Sequence, residues 1–250
     1  MPESEYITIL PKAGFCNRLR FLFSFKYKMK QENINKKLVV IWPVNTQCNG
    51  FLWNVIKPLD NCWTLRENKN NFTINASSCG PIPLYKNSNY LKDIPFKPKD
   101  RIYKRLIKLI DSMSNKYIAL HIRRTDLTGH LKYKKMQHLE TNDKSFIDFI
   151  KKNKQYKVYI ATDNRETQIK FKKLFPKRVI FNKEIIKMNG HRRTSLEDAV
   201  TDIFMCALSN KFKGTFYSSF SEFIELMRRD NNILDNNHEN PKELCIKKYK

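Results

Sequence analysis

From residue 117 to about residue 229, short apolar runs alternate with segments of helical spacing. Tyr117, Ile118, Ala119 and Leu120 make a run with no polar alternation, the mark of a strand buried on both faces. A loop at 125–143 follows it. Then come a helix at 144–153, a strand at 157–161, a helix at 164–174 and a strand at 178–181. After a loop at 182–193 the pattern gives a helix at 195–209, a strand at 212–216 and a helix at 219–229. Strands buried on both faces need helices on both faces, so this half of the chain is expected to form a doubly wound α/β lobe.

The first hundred residues carry a weaker version of the same pattern. A strand is expected at 6–10, a turn at PKAGFCNR, a helix on which Leu19, Leu22, Phe23 and Tyr27 recur, and a second strand at 38–42. This is a βαβ unit. Gly14 would let backbone approach an anion at the N-terminus of that helix, with Asn17 in its first turn; a plain βα turn explains the same residues. Residues 45–98 read as irregular, so this lobe looks reduced. Pro95 and Pro98 suggest the crossing between lobes, giving domains at 1–98 and 99–250. Ile102, Leu106, Leu109, Ile110 and Met113 then make an amphipathic helix. The tail beyond Asp230 reads as loose, apart from 244–246.

The apolar run at 117–120 stops at His121-Ile122-Arg123-Arg124-Thr125-Asp126. Ligands of open α/β sheets bind beyond the carboxyl ends of strands, and arginine is suited to bidentate capture of phosphate. Alternate residues of an extended chain point the same way, which sets His121 and Arg123 on one face and Arg124 and Asp126 on the other. A salt bridge capping the strand would use the same residues. Thr162-Asp163-Asn164 ends a second strand; Asp163 either binds a hydroxyl-bearing ligand or caps the following helix. Thr194 with Glu197, and Ser219 with Glu222, read as capping boxes.

The string HIRRTD after a buried strand resembles the signature of the α1,6-/α1,2-/protein O-fucosyltransferase superfamily, glycosyltransferases of the GT-B type. VYIATDN at 158–164 and the stretch from Asp202 through FKGTFYSSFSEF at 212–223 fit that family in the same order. The resemblance covers 116–228 well and 5–45 loosely. It implies a GT-B-like α/β fold of two Rossmann-like lobes, with an acceptor-side lobe at 1–98 and a nucleotide-sugar lobe at 99–250. It implies an inverting, metal-independent transfer of L-fucose, or a related deoxy-sugar, from a GDP-sugar to a glycan hydroxyl, with no cofactor. Gly14 and Asn17 would face the donor phosphates and the acceptor cleft. Arg123 would hold the β-phosphate and stabilise the leaving diphosphate, as a fixed guanidinium does for developing negative charge. His121 would contact the guanine. Asp202 would accept from guanine N1 and N2, two parallel donors that suit an acceptor-only carboxylate, whereas uracil offers one. Ser218 and Ser219 would bind the diphosphate at a helix N-terminus. Arg124, Asp126 and Asp163 complete the donor side. The family's base is a glutamate a few residues beyond RRTD, where this chain has Leu131. His130, with an ordinary pKa of about 6.5, is the nearest substitute; Asp126 and Glu140 are others.

The chain carries 48 Lys and Arg against 24 Asp and Glu, a net charge of +24. Such a field attracts nucleotide-sugars, acidic glycans or nucleic acid. A basic nucleic-acid-binding protein is thus an alternative, without any recognisable binding motif; the same fold with a UDP-deoxyhexose donor is another. No run of 18 uncharged apolar residues exists, so no membrane span is expected. The start MPESEYITIL lacks the features of a secretory leader, and a cytoplasmic protein with reduced cysteines is expected. On that view the sequons at Asn71 and Asn75 are incidental.

Overall fold

Leu38, Val39 and Val40 are at most 1 % exposed, and Ile41 is 4 % exposed. A strand this buried needs cover on both faces, and the first half of the chain supplies it. The computed structural model describes residues 5–69, 72–92, 95–114, 116–125, 135, 141–185, 194–230, 233 and 240–250. The chain divides into two units, Met1–Lys99 and Asp100–Lys250.

In the first unit, strands β1 (Tyr6–Pro11), β2 (Lys37–Ile41), β3 (Cys62–Leu65) and β4 (Ala76–Ser78) form one parallel sheet in the order β3-β2-β1-β4. Helix α1 (Phe15–Gln31) connects β1 to β2. The fully buried Arg18 of α1 donates to the carbonyls of Ala13 and Pro43 and to Asn45 Oδ1, and stands over the Trp42 ring. Its charge is thus satisfied where it ties the turn after β1 to the loop after β2. The 45–98 stretch, expected to be irregular, contributes two strands. Both are short, and β3 shows no clean alternation: only Cys62 of its four residues is buried. Asn75 donates its backbone N–H to the Thr8 carbonyl and accepts the Thr8 N–H on Oδ1. A sequon side chain is therefore part of the pairing that leads into β4.

The second unit opens with α2 (Asp100–Ser112) and β5 (Tyr117–Ile122), then α3 (Asp143–Lys152), β6 (Lys157–Thr162), α4 (Arg165–Leu174) and β7 (Val179–Ile180). It closes with α5 (Leu196–Leu208), β8 (Lys211–Lys213), α6 (Ser219–Asp230) and α7 (Pro241–Tyr249). The sheet is parallel, in the order β7-β6-β5-β8. On one face Ile118, Leu120, Ile122, Val158 and Ile160 pack against Phe146 and Ile150 of α3 and Phe171 of α4. The other face presents Tyr117, His121 and Tyr159, each hydrogen-bonded to α5 or α6. Helix α5 is buried almost all round, the state of a helix apolar on every side.

The expected doubly wound lobe is present. Four details differ from expectation. β8 ends at Lys213, not at residue 216. Ser219 is the first residue of α6, and the Glu222 N–H goes to the Ser218 carbonyl, so Ser218 takes the capping position. Ser195, not Thr194, caps α5, accepting the Asp198 N–H on its hydroxyl. The tail forms α7, started by Asn240 and Pro241 and anchored by the buried Leu244, Cys245 and Tyr249. Among the described residues no helix is long and apolar enough to cross a membrane.

Candidate functional site

The path of the chain leaves β5 toward β6 and β7 on one side, then returns to place β8 on the other. The point where the order reverses opens a crevice at the carboxyl ends of β5 and β8. Thr215 closes its floor. Its hydroxyl donates to the His121 carbonyl at 2.8 Å and accepts the Arg123 N–H at 3.0 Å. That extends the joining of β5 and β8 past their last paired residues, Leu120 and Lys213.

Gly214 brings α6 against this floor. A Cβ there would lie 2.6 Å from Ser221 Cβ and 2.7 Å from Ser221 Oγ, a separation only glycine permits. Ser221 Oγ accepts the Thr215 N–H at 3.0 Å and lies 2.7 Å from His121 Nδ1. The Phe220 ring stacks on the imidazole at 4.5 Å. Burial, reinforced by the Arg123 charge, pulls the His121 pKa down to about 3. The ring is therefore neutral at physiological pH, one nitrogen a donor and the other an acceptor.

Arg123, one residue past the end of β5, is half-buried, and its backbone is held to Thr215 at this strand end. Ser218 is 1 % exposed, and its Oγ has no hydrogen-bond partner among the described residues. A buried hydroxyl left unpaired is costly and calls for an explanation. Ser219 begins α6, whose first N–H groups point toward the same end of the sheet. Between Thr215 and Ser218, Tyr217 holds a left-handed φ of 58°, rare for so bulky a side chain and frequent at ligand-holding turns. A cleft of about 610 Å³, lined by Thr141, Asn142, Gly214, Thr215, Ser221 and Glu222 among others, adjoins this turn. That volume is within the range of small-ligand sites.

Arg124 takes a different direction. Its guanidinium donates to the Thr141 carbonyl at 3.0 Å and to Asp143 Oδ1 at 2.6 Å, and stands over the Phe146 ring. Asp163 receives the Arg124 and Thr125 N–H groups and the Thr125 hydroxyl. It fixes the loop that carries both arginines, while Asn164 caps α4 by accepting the Thr167 N–H. Asp202, on α5, is 9 % exposed and accepts the Tyr159 hydroxyl on Oδ1 at 2.5 Å. Burial pushes its carboxyl up to about 7; the Tyr159 hydrogen bond opposes that shift, Asp198 adds to it and Arg105 opposes it.

His121, Arg123, Ser218 and Ser219 thus gather at the β5/β8 crevice, with Asp202 under the sheet face that His121 shares. Gly14 and Asn17 belong to the first unit. Gly14 precedes α1 with φ −74° and ψ 167°, ordinary extended backbone, and Ala13 beside it carries the left-handed φ of 63°. Asp126 and His130 lie outside the described residues. Thr215, Ser221, Phe220 and Tyr159 escaped the sequence reading. The one available signal was Tyr159 inside an apolar strand, since a buried phenol needs a partner.

No sequence-family model matches this chain, and no curated protein matches it. Solved structures do. NodZ α-1,6-fucosyltransferase soaked with GDP-fucose superposes with a TM-score of 0.59 at 15 % identity, covering 89 % of this chain and 92 % of that one. The fucosyltransferase NodZ from Bradyrhizobium gives 0.59 at 14 %, covering 89 % and 93 %. POFUT1 in complex with GDP gives 0.61 at 11 %, covering 92 % and 97 %. This chain shares the fold of these structures. At such identity the likeness speaks for the GT-B-like architecture, and the expected two-sheet α/β fold is the one observed. Within that architecture the crevice at the reversal of strand order lies where α/β sheets hold their ligands.

Proposed function

We propose that this protein is a glycosyltransferase of fucosyltransferase type. It moves L-fucose, or a related deoxy-sugar, from a GDP-sugar to a glycan hydroxyl. The observation that carries the reading is the group at the β5/β8 crevice: Arg123 at a strand end, the buried and unpartnered Ser218 hydroxyl, and the start of α6. Each favours an anion. The solved structures with the same fold include complexes with GDP and with GDP-fucose, which supports the choice of ligand.

In the reaction the acceptor hydroxyl oxygen attacks the anomeric carbon, the carbon–phosphate-oxygen bond breaks, the electron pair leaves with GDP, and the hydroxyl proton passes to the departing phosphate or to water. Attack opposite the leaving group inverts the anomeric centre. Negative charge grows on the departing β-phosphate, where the Arg123 guanidinium and the α6 N–H groups stabilise it more in the transition state than in the ground state. These groups supply the positive charge that a cation would otherwise bring, so we expect transfer without a metal. His121 and Asp202, on one sheet face, receive the guanine. Asp163 holds the loop of Arg123.

Thermal shift with GDP, UDP, ADP and their sugars tests the donor. GDP and GDP-fucose should raise the melting temperature more than the uracil and adenine compounds; equal shifts would remove the guanine reading. Transfer from GDP-fucose should persist in chelator. Loss of turnover restored by Mn²⁺ or Mg²⁺ would remove the metal-independent step.

A further inference from the structure

Two tyrosines stand under α5 on the same sheet face, both fully buried. Tyr117 gives its hydroxyl to the Met205 carbonyl at 2.7 Å. Tyr159 gives its own to Asp202 Oδ1. Arg105 of α2, whose charge acts on Asp202, pairs at 2.9 Å with Asp198, one helical turn before Asp202. The Tyr159 hydroxyl gives the Asp202 carboxylate its side-chain hydrogen bond among the described residues. An ionised carboxylate offers roughly four acceptor positions, and its last torsion is soft and nearly two-fold. A donor fixed on one oxygen therefore decides where the other points.

We propose that Tyr159 is the positioning residue for base recognition: its hydroxyl clamps one oxygen of Asp202 and aims the rest of the carboxylate at the N1–H and N2–H edge of a guanine. This rests on the reading of Asp202 as the guanine acceptor. The groups that face Asp202 are Tyr159 of β6, Arg105 of α2, and Asp198 and Cys206 of its own helix. Tyr117 of β5, Arg228 of α6 and Cys245 of α7 stand behind them, around Cys206 and Tyr117. Burial and Asp198 favour the neutral carboxyl. The Tyr159 hydroxyl favours the ionised one, which is the form that accepts both guanine donors. GDP affinity should then fall as pH drops through about 7. Without the hydroxyl the fall should begin at higher pH.

Calorimetric titration of the full chain with GDP, UDP and pyrophosphate, between about pH 6 and 8.5, tests this. Tyr159→Phe should lose roughly tenfold in its preference for GDP over UDP at neutral pH, the size expected for a hydrogen bond to a charged group. Its pH break should move up and its pyrophosphate affinity should stay. Tyr117→Phe loses an equivalent buried hydroxyl and should move neither. Asp202→Asn should bind GDP weakly with no pH break. Fluorotyrosine at position 159 keeps the packing, donates more strongly and should move the break down; it decides the matter even if Tyr159→Phe fails to fold. A parent that prefers GDP, with Tyr159→Phe or the fluorotyrosine protein unchanged in preference and pH break, overturns the role of Tyr159 alone. A parent that binds GDP and UDP equally overturns the guanine reading and this proposal with it.

Discussion

The two arginines that end β5 part company because consecutive residues of an extended chain face opposite ways. Arg124 turns to Asp143, Thr141 and Phe146, so Arg124→Ala should lower stability by about 1–3 kcal/mol while turnover per folded molecule changes little. Arg123→Ala should do the reverse: turnover falls by roughly 10²–10³ with the fold kept, and Arg123→Lys rescues only part because an ammonium lacks the planar fork. Chemical denaturation beside single-turnover assays separates the two; matching losses in both variants would make Arg123 structural. Two buried titratable groups act on stability with opposite sign. His121, held near 3 against an ordinary 6.5, binds its proton more weakly in the folded state, so its contribution is lost as pH falls from 6.5 toward 3. Asp202, raised to about 7 from 3.8, binds its proton more tightly when folded, so stability falls as pH rises from about 4 to 7. Asp202→Asn should therefore melt above the parent at pH 8, by an amount on the order of a few kcal/mol, and the gain should vanish near pH 4. A constant offset across pH would rule out titration as its cause. Residues whose chemistry is announced by a local string, such as Arg123, were legible in the sequence. Thr215 and Ser221 were not, because their roles arise from contacts across 94 and 100 positions.

At the scale of elements, the legible ones were those whose apolar pattern outlasts a turn. Strands β5 and β6 and helix α5 fall close to their expected bounds, since long buried runs tolerate few alternatives. β4 spans three residues, Ala76–Ser78, with no large apolar side chain; its backbone partners come from β1, where Ile9, Leu10 and Pro11 pair with Ala76, Ser77 and Ser78, and nothing local marks it. Helix α7 hides in a Lys- and Asn-rich tail because four buried residues suffice to dock it. The junction of β8 and α6 shows how tightly elements are set at the crevice. Gly214→Ala would place a methyl 2.6 Å from Ser221 Cβ, which forces α6 off the strand end and with it the Ser221 contacts to Thr215 and His121. The expected outcome is a loss of about 1–3 kcal/mol, as for overpacking, together with weakened GDP binding. Gly80→Ala, which meets nothing within 4 Å, serves as the control for a simple glycine effect. A Gly214→Ala protein that binds GDP like the parent would show that the junction is slack.

At the scale of the whole molecule, the net charge of +24 has two readings that salt distinguishes. If the field only steers a small anion to a built site, its reach is limited by screening, with a Debye length of about 10 Å at 0.1 M salt. GDP affinity should then weaken by a few-fold between about 0.05 and 0.5 M salt, guanosine affinity should barely change, and Arg123→Ala should lose GDP affinity at every salt concentration because its contact is short-ranged. If instead the charge marks a polyanion-binding surface, single-stranded DNA or RNA should bind with a logarithmic salt slope of about −0.7 per phosphate neutralised. Much of the excess is lysine in stretches such as QENINKK and KKNKQYK, where exposed ammonium groups hold anions loosely rather than by fixed forks. We therefore expect any nucleic acid to leave at moderate salt, while GDP remains bound at the crevice. Equilibrium binding of both ligands across the same salt series, with each as competitor of the other, gives the answer. Nucleic acid that stays bound at physiological salt, unaffected by GDP or by Arg123→Ala, would shift the reading from transferase to nucleic-acid binder.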